Sequence, residues 1–256
     1  MEALMKKSVI AFIAIVALVF SVTMIAHAQQ TYMDSFKANY PQLAKSKLAK
    51  DCLACHINPT GSGERNPYGV NYENENEIDD DYDTLETLDA DGDGYTTGQE
   101  IKGVTYPGDF TDTPGAKKFK TCLTFFAGKD TFKKKLCDYM IFNGKMVTLT
   151  KDGNGVYFKG TNMMVPCKIS VEKLGAAYKY DSKKKVVTIT KGGKTVAELT
   201  IGKTAAKVNG KAVTLPAAPE NKTGTTIVHV PTKTLELIFN AKYVYIKRGK
   251  IGHIRL

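Results

Sequence analysis

Two short strings in this 256-residue chain carry side chains whose types and spacing can do chemistry. The first is Asp51-Cys52-Leu53-Ala54-Cys55-His56. Two thiols separated by two residues can each form a thioether with a vinyl group of one haem, and the histidine that follows then sits beneath the iron as its proximal ligand. The spacing therefore predicts Cys52 and Cys55 as covalent attachment points for haem c and His56 as an axial ligand. Two other uses compete for the same residues. A redox-active CxxC pair needs a surrounding thioredoxin-like βαβ pattern, and a zinc site needs a second pair of ligands close by; the sequence supplies neither.

The sixth iron position is read less directly. Between Gln29 and Gly115 there is no second histidine, and Met33 is the only methionine. Met33 is the local candidate for a thioether ligand, with an ordinary apolar residue of a helix as its other reading. A vacant position, or His229 or His253 from later in the chain, are the alternatives. Arg65, the one arginine near the motif, has the planar fork that suits a haem propionate, and equally reads as an exposed charge beside Glu64.

The second string, DADGDGYTTGQE (Asp89 to Glu100), fits the calcium loop D-x-[DN]-x-[DN]-G-x5-E at every defined position. Asp89, Asp91 and Asp93 supply carboxylate oxygens, Gly94 allows the sharp turn, Tyr95 offers its carbonyl, Thr97 acts directly or through water, and Glu100 closes the site. Four carboxylates at this density repel one another unless a hard divalent cation neutralises them. Thr96, Gly98 and Gly103 disfavour a paired sensor with a long exiting helix, so the loop reads as a single structural calcium site of the dockerin type.

These strings must be held by elements, and the chain divides into parts that can hold them. Lys6 and Lys7, the apolar run Ser8–Ile25 and Ala26-His27-Ala28 read as a secretory signal peptide over 1–28, with an uncleaved membrane anchor as the rival reading of the same run. The expected location is outside the cytoplasm, in periplasm, cell wall or cell surface, where disulfides and haem thioethers are both permitted. From Gln29 to Gly115 there are 6 Lys+Arg against 17 Asp+Glu, and from Ala116 to Leu256 there are 28 against 8. That reversal of charge sets the domain boundary. Residues 116–140 read as a connector in which Cys122 and Cys137 enclose a loop suited to a disulfide, worth about 3 kcal/mol on chain-entropy grounds, with two buried or unpaired thiols as the other reading. Cys167, in the apolar MMVPCKI, reads as a small buried hydrophobe.

Past Met140 the pattern becomes short alternating β-branched runs separated by Asn-Gly and Gly-Gly turns. It also repeats. NGKMVTL (143–149) recurs as NGKAVTL (209–215), and MMVPCKISVEKLGAAYKY recurs as IVHVPTKTLELIFNAKYVY. Each unit predicts hairpin, Val-Pro, helix (near Ile169–Leu174 and Thr234–Phe239) and hairpin. The expected fold is α+β multidomain: a small irregular haem and calcium domain with few short helices, then a β-rich α+β domain of two such repeats.

On CLACH-NP-G-G-RNPYG, LDADGDGYTTGQEI and TYPGD-DTP, Gln29 to Pro114 resembles small bacterial monohaem c-type cytochrome domains that join CxxCH to an EF-hand-like calcium loop. On its two VP…Y-x-Y units, 141–256 resembles the copper amine oxidase N-terminal-like domain, a stalk module of bacterial surface proteins. That family's usual arginine after the proline is replaced by Cys167-Lys168 and Thr232-Lys233, and two histidines without a third ligand do not imply copper. The combined expectation is an electron carrier binding haem c and calcium, not an enzyme. Its expected partners are redox proteins, together with an anionic wall polymer or membrane surface met by the lysines, and not nucleic acid. The alternatives are a calcium-dependent surface adhesin without haem, and a haem sensor or peroxidase with an open sixth position.

Overall fold

The computed structural model describes residues 32–74, 77–78, 81–130, 135–149, 155–221 and 227–256. The signal-peptide reading over 1–28 lies outside the described residues. Among them, no helix is long and apolar enough to cross a membrane.

The acidic half is built from short helices. A helix over 32–39 (α1) is followed by 3-10 turns at Pro41–Leu43, Lys47–Ala49 and Cys52–Ala54, then by α2 (Pro67–Tyr72), α3 (Tyr82–Thr87) and α4 (Thr97–Gly103). This half looks too polar in sequence to bury much apolar core, and the structure corrects that expectation. Phe36, Tyr40, Tyr68, Tyr72 and Tyr82 pack with Leu43, Leu48, Leu85 and Ile101 into one cluster. Rings supply the area that aliphatics lack, and their hydroxyls are mostly paired. Tyr72 and Tyr82 share a hydrogen bond of 3.0 Å, and Tyr40 donates to Glu86 at 2.7 Å.

The basic half is β-rich, with three larger sheets and two helices among the described residues. Its strands are β1 (Cys122–Phe126), β2 (Tyr139–Phe142), β3 (Lys145–Thr148), β4 (Tyr157–Lys159) and β5 (Asn162–Pro166). Then follow α5 (Cys167–Lys173) and a five-stranded meander over Ala177–Asp181, Val186–Lys191, Lys194–Thr200, Ala205–Val208 and Lys211–Thr214 (β6 to β10). The chain ends with β11 (Glu220–Asn221), β12 (Val228–Pro231), α6 (Thr232–Phe239), β13 (Lys242–Ile246) and β14 (Ile251–Arg255). Pro166 and Pro231 close their strands and precede the helices directly, so both helices begin two residues earlier than periodicity suggests. Cys167 opens α5 fully buried in the core, where burial pushes its thiol up to about 12.

The stretch expected to be a connector is not one. β1 lies at the centre of a five-stranded antiparallel sheet, in the order β13-β14-β1-β2-β3, so chain from before the repeat and chain from its end pair side by side. Both β1 and β14 are buried at every position because both faces of the sheet are covered. Alternation sends Leu123, Phe125, Met140 and Ile254 into the core of the basic half. The opposite face carries Phe126, Tyr139, Ile141 and Ile251 towards one end and Cys122, Thr124, His253 and Arg255 towards the other. Pairing across β1 and β14 sets this row: Ile251 with Phe126, His253 with Thr124, Arg255 with Cys122.

That geometry also overturns the expected Cys122–Cys137 disulfide. The two cysteines are not bridged. Cys122 opens β1, whereas the Cys137 N–H donates to the Gly128 carbonyl beyond the far end of the same strand. Four strand steps span about 13 Å, and a disulfide needs its Cα atoms within about 7 Å.

Candidate functional site

The CxxCH string forms a single 3-10 turn. The Asp51 carboxylate accepts from Leu53 N–H at 2.9 Å, and the His56 N–H donates to the Cys52 carbonyl at 2.8 Å. The chain then doubles back through a loop containing Gly61 and Gly63, both at positive φ, which brings Arg65 beside His56 as an antiparallel bridge. Asn66 fastens the arrangement. Its amide donates to the carbonyls of Leu53 (2.8 Å), Ala54 (3.0 Å) and His56 (3.4 Å), its own N–H donates to Cys55 O, and its Oδ1 caps α2 by accepting from Gly69 N–H. Gly69 lies so close to the turn that a Cβ there would stand 2.0 Å from the Cys55 carbonyl oxygen.

This framework walls a cavity of about 460 Å³ lined by Cys52, Cys55, His56, Met33, Phe36, Arg65 and Tyr68, among others. The walls are mostly apolar, with few convergent polar groups, as cofactor sites are. Met33 reaches it from α1. His229 and His253, the more distant candidates for an axial ligand, do not line it. His229 is buried on β12 with its ring against Tyr157 at 5.2 Å, and His253 is buried on β14, hydrogen-bonded to Thr124 at 3.0 Å. Arg65 on the cavity wall pairs with Glu73, so it is neither a lone charge nor simply a partner of Glu64.

Burial sets the protonation of the donors. It lowers the His56 pKa, helped by the Arg65 charge, so the imidazole is neutral near pH 7 and its lone pair is available. Burial pushes the Cys55 thiol up to about 12, and burial followed by the Asp51 charge raises Cys52. Tyr68 is fully buried on the cavity wall, and its hydroxyl has no partner among the described residues. Two thiols, a neutral imidazole, a thioether and an orphaned phenol around one roomy apolar cavity fit a thioether-linked haem.

The acidic loop forms the second site. The loop's own N–H groups use both oxygens of Asp89, which accept from Gly92 (3.0 Å) and Gly94 (3.1 Å), and one oxygen each of Asp91, from Asp93 (3.0 Å), and Asp93, from Tyr95 (2.6 Å). The three carboxylates keep ligand atoms within 4.8 Å of one another. Asp91 Oδ2, Asp93 Oδ2, Thr97 Oγ1 and both Glu100 oxygens are buried with no partner among the described residues. Burial and the neighbouring aspartates push Glu100 up to about 12, burial raises Asp93 to about 6, and Asp91 stands well above the carboxylate range. Buried polar atoms without partners are costly, and oxygen donors in this arrangement fit a hard divalent cation. Thr96 caps α4 with a full capping box through Gln99, which places Thr97 and Glu100 on its first turn.

Four residues escaped the sequence reading: Asn66, Gly69, Tyr68 and Arg255. The RNPYG string holds the first, second and third, but only the fold shows that its amide and its missing side chain shape the CxxCH turn. Arg255 ion-pairs with Asp89 from more than a hundred residues away, for which no local signal exists.

Residues 141–248 match the family model described as the copper amine oxidase N-terminal domain. The sheet they belong to extends beyond the match at both ends, through β1 and β14. No curated protein matches the chain.

Proposed function

We propose that the chain is an exported monohaem c-type cytochrome that carries electrons between redox proteins and holds a structural calcium ion. The observation that carries this reading is one cavity wall that brings together Cys52, Cys55, His56 and Met33. A bound haem supplies one-electron chemistry at its iron. Cys52 and Cys55 would fix the group covalently, neutral His56 would ligate its iron, and Met33 is the candidate for a second ligand. Phe36, Tyr68 and Tyr72 exclude water from the cavity, and the Asn66 amide holds the turn that presents the two thiols and the imidazole. No catalytic base or nucleophile forms part of this reading, so the role is that of a carrier rather than an enzyme.

Asp89, Asp91, Asp93, Thr97 and Glu100, with the Tyr95 carbonyl, would hold the calcium ion. The 141–256 part reads as a duplicated unit whose lysines meet an anionic wall polymer or membrane surface. The test is the absorption spectrum, oxidised and reduced, of chain matured with haem attachment, followed by a pyridine haemochrome assay. One low-spin c-type haem per chain is expected. A weak band near ~695 nm that disappears in Met33→Ala would identify the thioether ligand of Met/His-type sites. A high-spin haem would favour the sensor or peroxidase reading, and no haem at all would leave a calcium-binding surface protein.

A further inference from the structure

The calcium loop does not face solvent on all sides. Its outer surface is covered by the far end of the sheet in the basic half. Arg255, almost fully buried, ion-pairs with Asp89 and reaches the Gly92 carbonyl at 3.4 Å. The Cys122 thiol points at the Asp91 carbonyl at 3.6 Å. Gly92, at φ +85°, packs so closely that a Cβ would meet Cys122 Sγ and the His253 ring at 2.9 Å. Lys118 donates to the Gly94 carbonyl at 2.6 Å and lies over the Tyr95 ring at 3.7 Å. The other end of the same sheet face reaches the haem half next to the cavity. Phe126, Tyr139, Ile141 and Ile251 pack on Ile57 and Val70, and the Tyr139 hydroxyl donates to the Arg65 carbonyl at 3.0 Å.

We propose that the loaded calcium loop is the docking surface for the basic half, so that cation binding holds the β1–β14 sheet face against the haem half. The inference rests on the calcium reading above and deepens it. The loop's shape is set by carboxylates that must converge on one centre. Without a cation their mutual repulsion opens the loop, and the backbone carbonyls of Asp91, Gly92 and Gly94 leave the positions that Cys122, Arg255 and Lys118 contact. Docking and cation binding then favour each other by the same factor, as linkage requires.

Cys122 is the reporter. It is 1% exposed beneath the loop, while Cys167, at 0%, sits in the basic half's own core. Full-length holoprotein is alkylated with iodoacetamide in excess calcium and after chelation. Peptide mass spectrometry reads each cysteine, bound calcium is counted by atomic emission, and near-ultraviolet circular dichroism follows the tyrosine cluster. The expected result is one calcium per chain, with Cys122 alkylated at least ~10-fold faster after chelation while Cys167 stays protected and the tyrosine signal persists. Calcium bound with an unchanged Cys122 rate overturns the docking inference and leaves the calcium site standing. No bound calcium overturns both. Loss of the tyrosine signal, or exposure of Cys167 together with Cys122, shows unfolding instead of undocking and also overturns it.

Discussion

Tyr68 has a buried hydroxyl with no partner among the described residues, which makes it a probe of the cavity's contents. An unpaired buried hydroxyl costs about 1–3 kcal/mol. Tyr68→Phe should therefore raise the thermal midpoint of haem-free chain, and lower or leave unchanged that of haem-loaded chain, in which the phenol has a partner; paired melting curves check this. The acidic loop gives a residue-scale prediction whose sign is set by protonation. Asp93 at about 6 and Glu100 at about 12 stand above the ordinary carboxylate values of about 4. A carboxyl whose folded pKa is raised stabilises the fold below its unfolded value, and that contribution is lost as pH rises towards the folded value. Metal-free chain should lose stability between about pH 4 and pH 6, through the window that Asp93 sets. Calcium-loaded chain should gain or hold stability over the same range, and denaturant midpoints at each pH distinguish the two. The loop's donors were legible because each side chain carries its own chemistry at a fixed spacing. Asn66 was not, because an amide that bonds three carbonyls of a neighbouring turn has no signature apart from the fold that puts them within reach.

At the scale of elements, the capping box on α4 links secondary structure to the cation site. Thr96 Oγ1 accepts from Gln99 N–H at 3.3 Å and Gln99 Oε1 accepts from Thr96 N–H at 3.0 Å, and the turn so fixed carries Thr97 and Glu100. Thr96→Ala should cost about 1 kcal/mol in the metal-free chain, the usual value of an N-cap. It should also weaken calcium binding several-fold, because Glu100 loses its fixed place; unfolding curves and titration calorimetry measure the two effects. Most elements of the basic half could be read from alternation and turn residues, and both helices lie within two residues of their expected positions. β1 could not. CLTFF is buried at every position because both faces of its sheet are covered, so it shows no polar–apolar period of two. Its partner β14 lies at the other end of the chain, and no local pattern shows that pairing. The same strand explains the disulfide that does not form, since it keeps Cys122 and Cys137 apart.

For the whole molecule, the reversal of charge suggested the wrong relation between the two halves. A basic stalk separated by a connector would leave the haem half independent. Instead, Ile57, Val70 and Leu88 of the acidic half pack into a cluster with Phe126, Cys137, Tyr139, Ile141, Ile246 and Ile251. Arg248 adds a second tie, donating through Nε to the Asn71 carbonyl at 2.7 Å and meeting Asp81 at 3.3 Å, while Gly249 N–H donates to the Asn71 side chain. Removing residues 116–256 would uncover these three apolar side chains and strip Arg255 from the loop. Exposing such a side chain costs about 1.5–3 kcal/mol when it had been fully buried, and these three are covered in part, so a total of about 3–5 kcal/mol is expected. For a domain of this size each kcal/mol shifts the midpoint by about 4–8 °C. Residues 29–115, loaded with haem and calcium, should therefore melt roughly 15–30 °C below the full chain and be cut by protease first near Ile57 and Val70. A midpoint within a few degrees of the full chain, with no new cleavage there, would restore the picture of an independent cytochrome on a stalk.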